Sequence, residues 1–362
     1  MSQVLFLTLA GADPLTIDEL VNAGQMPSFA RLHNNAKSLK VLWPQGGSYV
    51  GDWLSVATGT PIWRHGAATR RCAKPALLGT APISRLDLLA PPVWETMAAE
   101  DFHCASIGWP ATQHSFLEHC DVLSDLFFLS GGHNRDSSPV FAGSMNTRKD
   151  PSWFLQYRAL SEDLPKSIPK TVRPALAGFQ SKVAIAKQLL AEDTDALFLH
   201  CDLLEQLGMP GNLEQANAIV RHYGLVDTML SQLLSAAPTC QVIAIVFRPP
   251  SAAFKLSPEE ALHRGRVLFW SDQDSFRFDK EGIGPEEIVG IVAAHIGRMQ
   301  PPPEVESKLP SQAKPDPSLA SILESLDLDA VLPLNEDVLQ AEKARRKTDL
   351  ICRFNLNIDK NT

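Results

Sequence analysis

Four short, nearly unbroken apolar runs, Val4–Leu9, Cys104–Gly108, Ala196–Leu199 and Val242–Phe247, constrain this chain more than any other feature. A strand with one face in water alternates polar and apolar side chains, whereas a strand covered on both faces reads as a continuous apolar segment. Between these runs lie helical patterns. Ile17, Leu20 and Val21 share a face after Asp13-Pro14, and Ile219, Val220, Tyr223, Val226, Leu230, Leu233 and Leu234 keep a three-to-four spacing. Asp13 and Pro14 suit a helix start and Gly24 a helix end. Leu39–Leu42 and Val267–Trp270 read as further strands, and Val50–Ala57, Val93–Ala99 and Val183–Leu190 as helices. Buried strands alternating with amphipathic helices predict an α/β fold: a mostly parallel sheet with helices on both faces.

The chain has 362 residues, 44% hydrophobic and 20% charged, enough for a large core. The expected organisation is one α/β domain over 1–300, with Ser130–Lys170, rich in Gly, Ser, Asn, Asp and Pro, inserted as a cap over the carboxyl ends of the strands. A Pro-rich linker at 301–317 and a short helical tail at 318–362 follow, the tail carrying helical patterns at Leu319–Leu326 and Val338–Ile351. The formal charge is −8, from 33 basic and 41 acidic residues, with no basic run. That balance argues against nucleic acid and against a membrane surface as partners, because both are gripped mainly through Lys and Arg. No apolar stretch approaches the roughly 20 residues that cross a bilayer. Val4–Leu9 followed by Ala10-Gly11-Ala12 mimics a signal peptide, but no Lys or Arg precedes it, and a buried first strand is the expectation. Six cysteines at 72, 104, 120, 201, 240 and 352 form no CxxC pair, which points to a reduced, cytoplasmic setting.

In open α/β sheets ligands sit at the carboxyl ends of strands, so the residues following each strand are where chemistry is sought. Several blocks there resemble a known family. Leu5-Phe6-Leu7-Thr8-Leu9-Ala10-Gly11-Ala12-Asp13-Pro14 with Gly24-Gln25-Met26-Pro27-Ser28-Phe29-Ala30-Arg31-Leu32 is similar to the opening of the type I phosphodiesterase/nucleotide pyrophosphatase branch of the alkaline phosphatase superfamily. Trp53-Leu54-Ser55-Val56-Ala57-Thr58-Gly59-Thr60-Pro61 with His65-Gly66 resembles its Trp-x-x-x-x-Thr-Gly-x-x-Pro-x-x-His-Gly block. Val93-Trp94-Glu95-Thr96-Met97 and Gly108-Trp109-Pro110-Ala111-Thr112 resemble its later helix and x-Pro-x-Thr segment. The resemblance covers roughly 1–120 and, more weakly, 180–300.

The resemblance implies an alkaline phosphatase-like fold and phosphate-ester hydrolysis by two metal ions, usually zinc, with a Thr or Ser nucleophile. Of seven positions that would carry this chemistry, two are retained. Ala10 stands where the first metal-binding Asp belongs, Tyr49 falls at the nucleophile position, and Ser48 is its neighbour. Asp202 matches one ligand, but Gln206 replaces the His four residues later. From Gln241 to Pro258 there is no Asp, Glu or His, and Arg248 falls in that stretch. His263 matches the last ligand. A guanidinium at Arg248 repels a divalent ion; it suits a phosphate or carboxylate, or a structural ion pair. Period-two alternation puts His200 and Asp202 on one side, where with His263 they would make a reduced site for one zinc or other divalent metal.

These residues lead to a favoured reading: a phosphodiesterase-like protein, impaired or inactive, that binds a phosphorylated small molecule or a protein partner in the old cleft through Arg248 and Gln206. The alternative is an active phosphodiester or phosphomonoester hydrolase with one metal on Asp202, His200 and His263, and Ser48 or water as nucleophile. A scaffold docking through its tail is a third. His103, Cys104, His114, His119 and Cys120 match no zinc spacing and read as ordinary core and surface residues. Asp227 reads as a structural hydrogen-bonding residue, Gly46-Gly47-Ser48 as a tight turn, and no Gly-x-Ser-x-Gly elbow is present.

Overall fold

The structure is a computed structural model that describes residues 3–44, 48–69, 71–74, 79–112, 119–129, 164–166, 168–192, 194–207, 213–250, 265–272, 276, 278 and 280–296. Most of the expected cap, His114, His263, the linker and the tail lie outside the described residues.

Strand β1 (Gln3–Ala10) is the centre of an eight-stranded sheet. It lies between β7 (Ala196–Cys201) and β8 (Cys240–Arg248), both parallel to it. Beyond β7 come β5 (Cys104–Trp109) and β6 (Cys120–Ser124), also parallel. On the other side β9 (Gly265–Ser271) runs antiparallel to β8, followed by β2 (Lys37–Val41) and the two-residue β10 (Gly282–Ile283). A separate hairpin pairs β3 (Arg71–Lys74) with β4 (Gly79–Pro82). The α/β class and the mostly parallel sheet are as the apolar runs predict. The antiparallel setting of β9, the β3–β4 hairpin and strand β6 were not foreseen, since strand direction is set by the connection rather than by the strand's own residues.

Period-two alternation sorts the core into two layers. Leu5, Leu7 and Leu9 of β1, with Leu197, Leu199 and Cys201 of β7, face α1 (Pro14–Asn22), α2 (Pro27–His33), α7 (Arg173–Ala191) and α9 (Leu213–Ala236). Val4, Phe6 and Ala10, with Ala196 and Phe198, face α3 (Tyr49–Thr58), α5 (Val93–Ala98) and α10 (Ile288–Ile296). In that second layer Phe6, Trp94, Trp109 and Phe198 form a tilted aromatic cluster with centroids 5.2–6.3 Å apart. Such rings bury large apolar areas and resist sliding, so they fix how α5 and β5 seat on β7.

Helix α1 begins at Pro14 and is followed by Gly24 at φ +73°, as the turn residues predict. Asp13 differs from expectation: its side chain caps no helix N–H and instead accepts from the Thr16 hydroxyl, 3.0 Å. Asp227, buried on one face of α9, has the structural role expected of it. Its Oδ1 accepts from the backbone N–H of Ser28 and Phe29 at 3.0 and 2.9 Å, satisfying two orphan donors at the start of α2. Asp227→Ala should therefore cost about 1–3 kcal/mol, read as a lower urea midpoint with an unchanged slope. A midpoint equal to wild type would contradict that role.

Candidate functional site

At the carboxyl ends of β1, β7 and β8, Ala10 is buried; β8 flanks β1 on one side and β7 on the other, and each of these strands ends in or next to a buried ion-paired residue. On one side is Arg248, the last residue of β8 and the register partner of Ala10. Its Nε and Nη2 donate to Asp52 Oδ2 at 3.2 and 2.9 Å, and both residues are at most 2% exposed. The guanidinium also lies over the rings of Trp43 and Tyr49, 5.6 and 5.8 Å from their centroids. Asp52 sits in the first turn of α3, where the helix dipole favours a negative charge. Its second oxygen, Oδ1, is buried without a hydrogen-bond partner. Burial pushes the Asp52 carboxyl up to about 6, against the pull of Arg248.

On the other side is Asp202, immediately after β7. Its Oδ1 accepts from Lys182 Nζ at 2.7 Å and its Oδ2 from Gln206 Nε2 at 2.8 Å. Burial would raise this carboxyl, but the Lys182 ammonium, His200 and the two hydrogen bonds together hold it well below the usual carboxylate range. Lys182 projects from α7, Gln206 from α8 (Leu203–Leu207). The strand-alternation expectation fails here because β7 stops at Cys201. His200 takes its partners from β1 and α3, while Asp202 turns to α7 and α8.

His200 is buried with both ring nitrogens engaged. Nδ1 lies 2.7 Å from Thr8 Oγ1 and Nε2 lies 2.9 Å from Tyr49 Oη, with the Trp53 ring in a T-shaped contact at 5.0 Å and the Trp109 ring tilted at 5.4 Å. Ser48 is the N-cap of α3: its Oγ accepts from Gly51 N–H at 2.9 Å and donates to the Ala68 carbonyl. Of the two adjacent hydroxyls at the start of α3, that of Tyr49 faces an imidazole, whereas that of Ser48 serves as the helix cap. His65, from the Thr-Gly…His-Gly block, is wholly buried. Its Nδ1 accepts from Ala67 N–H, Nε2 faces Ser55 Oγ, and burial lowers it to about 4, so it is neutral and structural at physiological pH.

A divalent ion fits these residues poorly. Metal binding needs free lone pairs, and an ammonium in contact with Asp202 repels a second cation from the same carboxylate. Ala10 offers no donor, and Arg248 brings a fixed charge. Among the described residues no group of three or more His, Cys, Asp or Glu side chains could hold a metal ion. His103 and His119 stack at 5.7 Å, and the Cys104, Cys120 and Cys201 thiols are buried, with burial raising each. Reasoning from sequence missed Asp52, Lys182 and Thr8.

No protein-family description matches the chain, and no curated protein matches it. Among solved structures it is similar to phosphonoacetate hydrolase from Sinorhizobium meliloti 1021, determined with phosphonoformate and with phosphonoacetate. Identity is 15% in both alignments, with TM-scores of 0.45 and 0.46, covering 68% of this chain and 55% of that one. This chain therefore spans about half the length of that hydrolase, and the alignments assign it no residue role. No helix among the described residues is long and apolar enough to cross a membrane.

The two ion pairs predict opposite pH behaviour. Asp52 titrates near 6 when folded against 3.8 for an ordinary Asp, so the folded state binds its proton more tightly than the unfolded state. Its stabilising contribution is complete below pH 3.8 and is lost as pH rises through about 6, a loss of about 3 kcal/mol. Asp52→Asn carries no such proton. Urea unfolding across pH 4 to 7 should show wild type losing stability relative to this variant as pH rises; a constant difference would refute the assignment.

Proposed function

We propose that this chain is an alkaline phosphatase-like protein, of the type I phosphodiesterase kind, in which two-metal hydrolysis has been given up. The crevice at the ends of β1, β7 and β8 then serves to bind a phosphorylated small molecule or a protein partner, in the cytoplasm. The ordered blocks over 1–120 support the superfamily. The observation that carries the loss of catalysis is the state of Asp202. It is the one retained metal-ligand position that the structure describes, and both of its oxygens are taken by Lys182 and Gln206. Ala10 and the Asp52–Arg248 pair support the same reading at the neighbouring strand ends. Fold alone fixes no activity, so the site residues must carry the argument.

The test is metal analysis of the purified chain, together with turnover of nitrophenyl phosphate and a nitrophenyl phosphodiester. We expect zinc and other divalent metals well below one per chain, and turnover no greater than that of Asp202→Ala. Stoichiometric zinc with turnover that depends on Asp202 would replace this reading with that of an active, reduced-site hydrolase.

A further inference from the structure

The Lys182 ammonium is held by more than its one carboxylate. Only 2% of this residue is exposed, and it stands on the apolar stripe of α7, among Ala175, Phe179, Ala186 and Leu189. Its Nζ meets Asp202 Oδ1 at 2.7 Å and lies 5.3 Å from the centre of the Phe128 ring. Room for it is made by Gly108, at φ +76°, where a Cβ would come within 2.7 Å of Lys182 Cε and 2.9 Å of the His200 carbonyl oxygen. The same place holds a small cavity of about 40 Å³, lined by Asp125, Phe128, Gly178, Lys182, Asp202 and Gln206. A carboxylate, an aromatic face and a second acidic side chain around a small polar space are the features that recognise a primary ammonium.

We propose that this pocket is an ammonium site filled from within: Lys182 is a tethered counter-cation that occupies the coordination space of Asp202, and the fold needs no external ion there. This goes beyond the proposed function, because it holds whether or not the crevice binds a phosphorylated ligand. Removing the tether should leave a site that a free cation of the same shape can enter. Truncation to Ala vacates the ammonium and most of the alkyl stem, which a short alkylammonium can replace without a change of bond or charge.

The experiment uses the full chain, dialysed against a chelator, in thermal melts with and without millimolar methylammonium or ethylammonium. Wild type should be unmoved by these cations, by the chelator and by added zinc or manganese. Lys182→Ala should melt lower, on the order of 10 °C, because it strands a buried carboxylate. It should regain part of that loss with ethylammonium, but not with tetramethylammonium, which presents no N–H. Lys182→Ala/Asp202→Asn should show no such gain. If Lys182→Ala does not fold alone, refolding with ethylammonium gives the same reading: recovery only with the amine supports the site. A folded Lys182→Ala indifferent to amines, or failure to recover it with any amine, overturns the proposal. So does a wild-type melt that shifts on chelation. Failure of the proposed function would show instead as turnover, so the two are told apart.

Discussion

A carboxylate cut off from water has to find compensating charge and hydrogen bonds or give up its own charge, and at the strand ends of this sheet that requirement decides everything nearby. Asp202 meets it in full. Lys182 supplies the positive charge and Gln206 the second hydrogen bond, and Gly108 leaves the gap through which the lysine stem passes. Once those partners are in place, each carboxylate oxygen already accepts a hydrogen bond, and the adjacent ammonium opposes the approach of a second cation. The α7 helix is thereby tied to the end of β7 from the layer opposite to His200.

Asp52 meets the same requirement only halfway. Both of the Arg248 nitrogens that reach it converge on one oxygen, and Oδ1 is left buried without a partner. The difference explains why burial wins at Asp52 and raises its carboxyl, whereas the attractive partners win at Asp202 and lower it. Between the two pairs, the Tyr49–His200–Thr8 hydrogen bonds run from the first residue of α3 across β7 to β1. Both flanks of the crevice thus carry internally paired charges, with a hydrogen-bonded strip between them.

The scaffold was legible because it is written in local pattern. Unbroken apolar runs marked β1, β7 and β8, and three-to-four spacing marked the long α9, since both follow from covering a sheet on two faces. The positions of Ala10, Tyr49, His200, Asp202 and Arg248 were legible too, as residues at strand ends or the start of a helix. Their partners were not. Arg248 and Asp52 are 196 residues apart, and Lys182 belongs to a helix whose read pattern began one residue later, at Val183. A signal did exist. Lys182 interrupts the apolar stripe of α7, and Asp52 is the one charged residue of the buried α3, and a charge on a buried face demands an opposite charge. Period-two reasoning misplaced Asp202 because it assumed that β7 continued one residue too far.

The central claim is that the positive charge facing Asp202 belongs to the chain itself. Crystals grown in excess zinc, with anomalous differences collected at the zinc absorption edge, test it most directly. The account predicts Lys182 Nζ in contact with Asp202 and no anomalous peak on either Asp202 oxygen. A peak bound to Asp202, with the lysine displaced from it, would contradict the account.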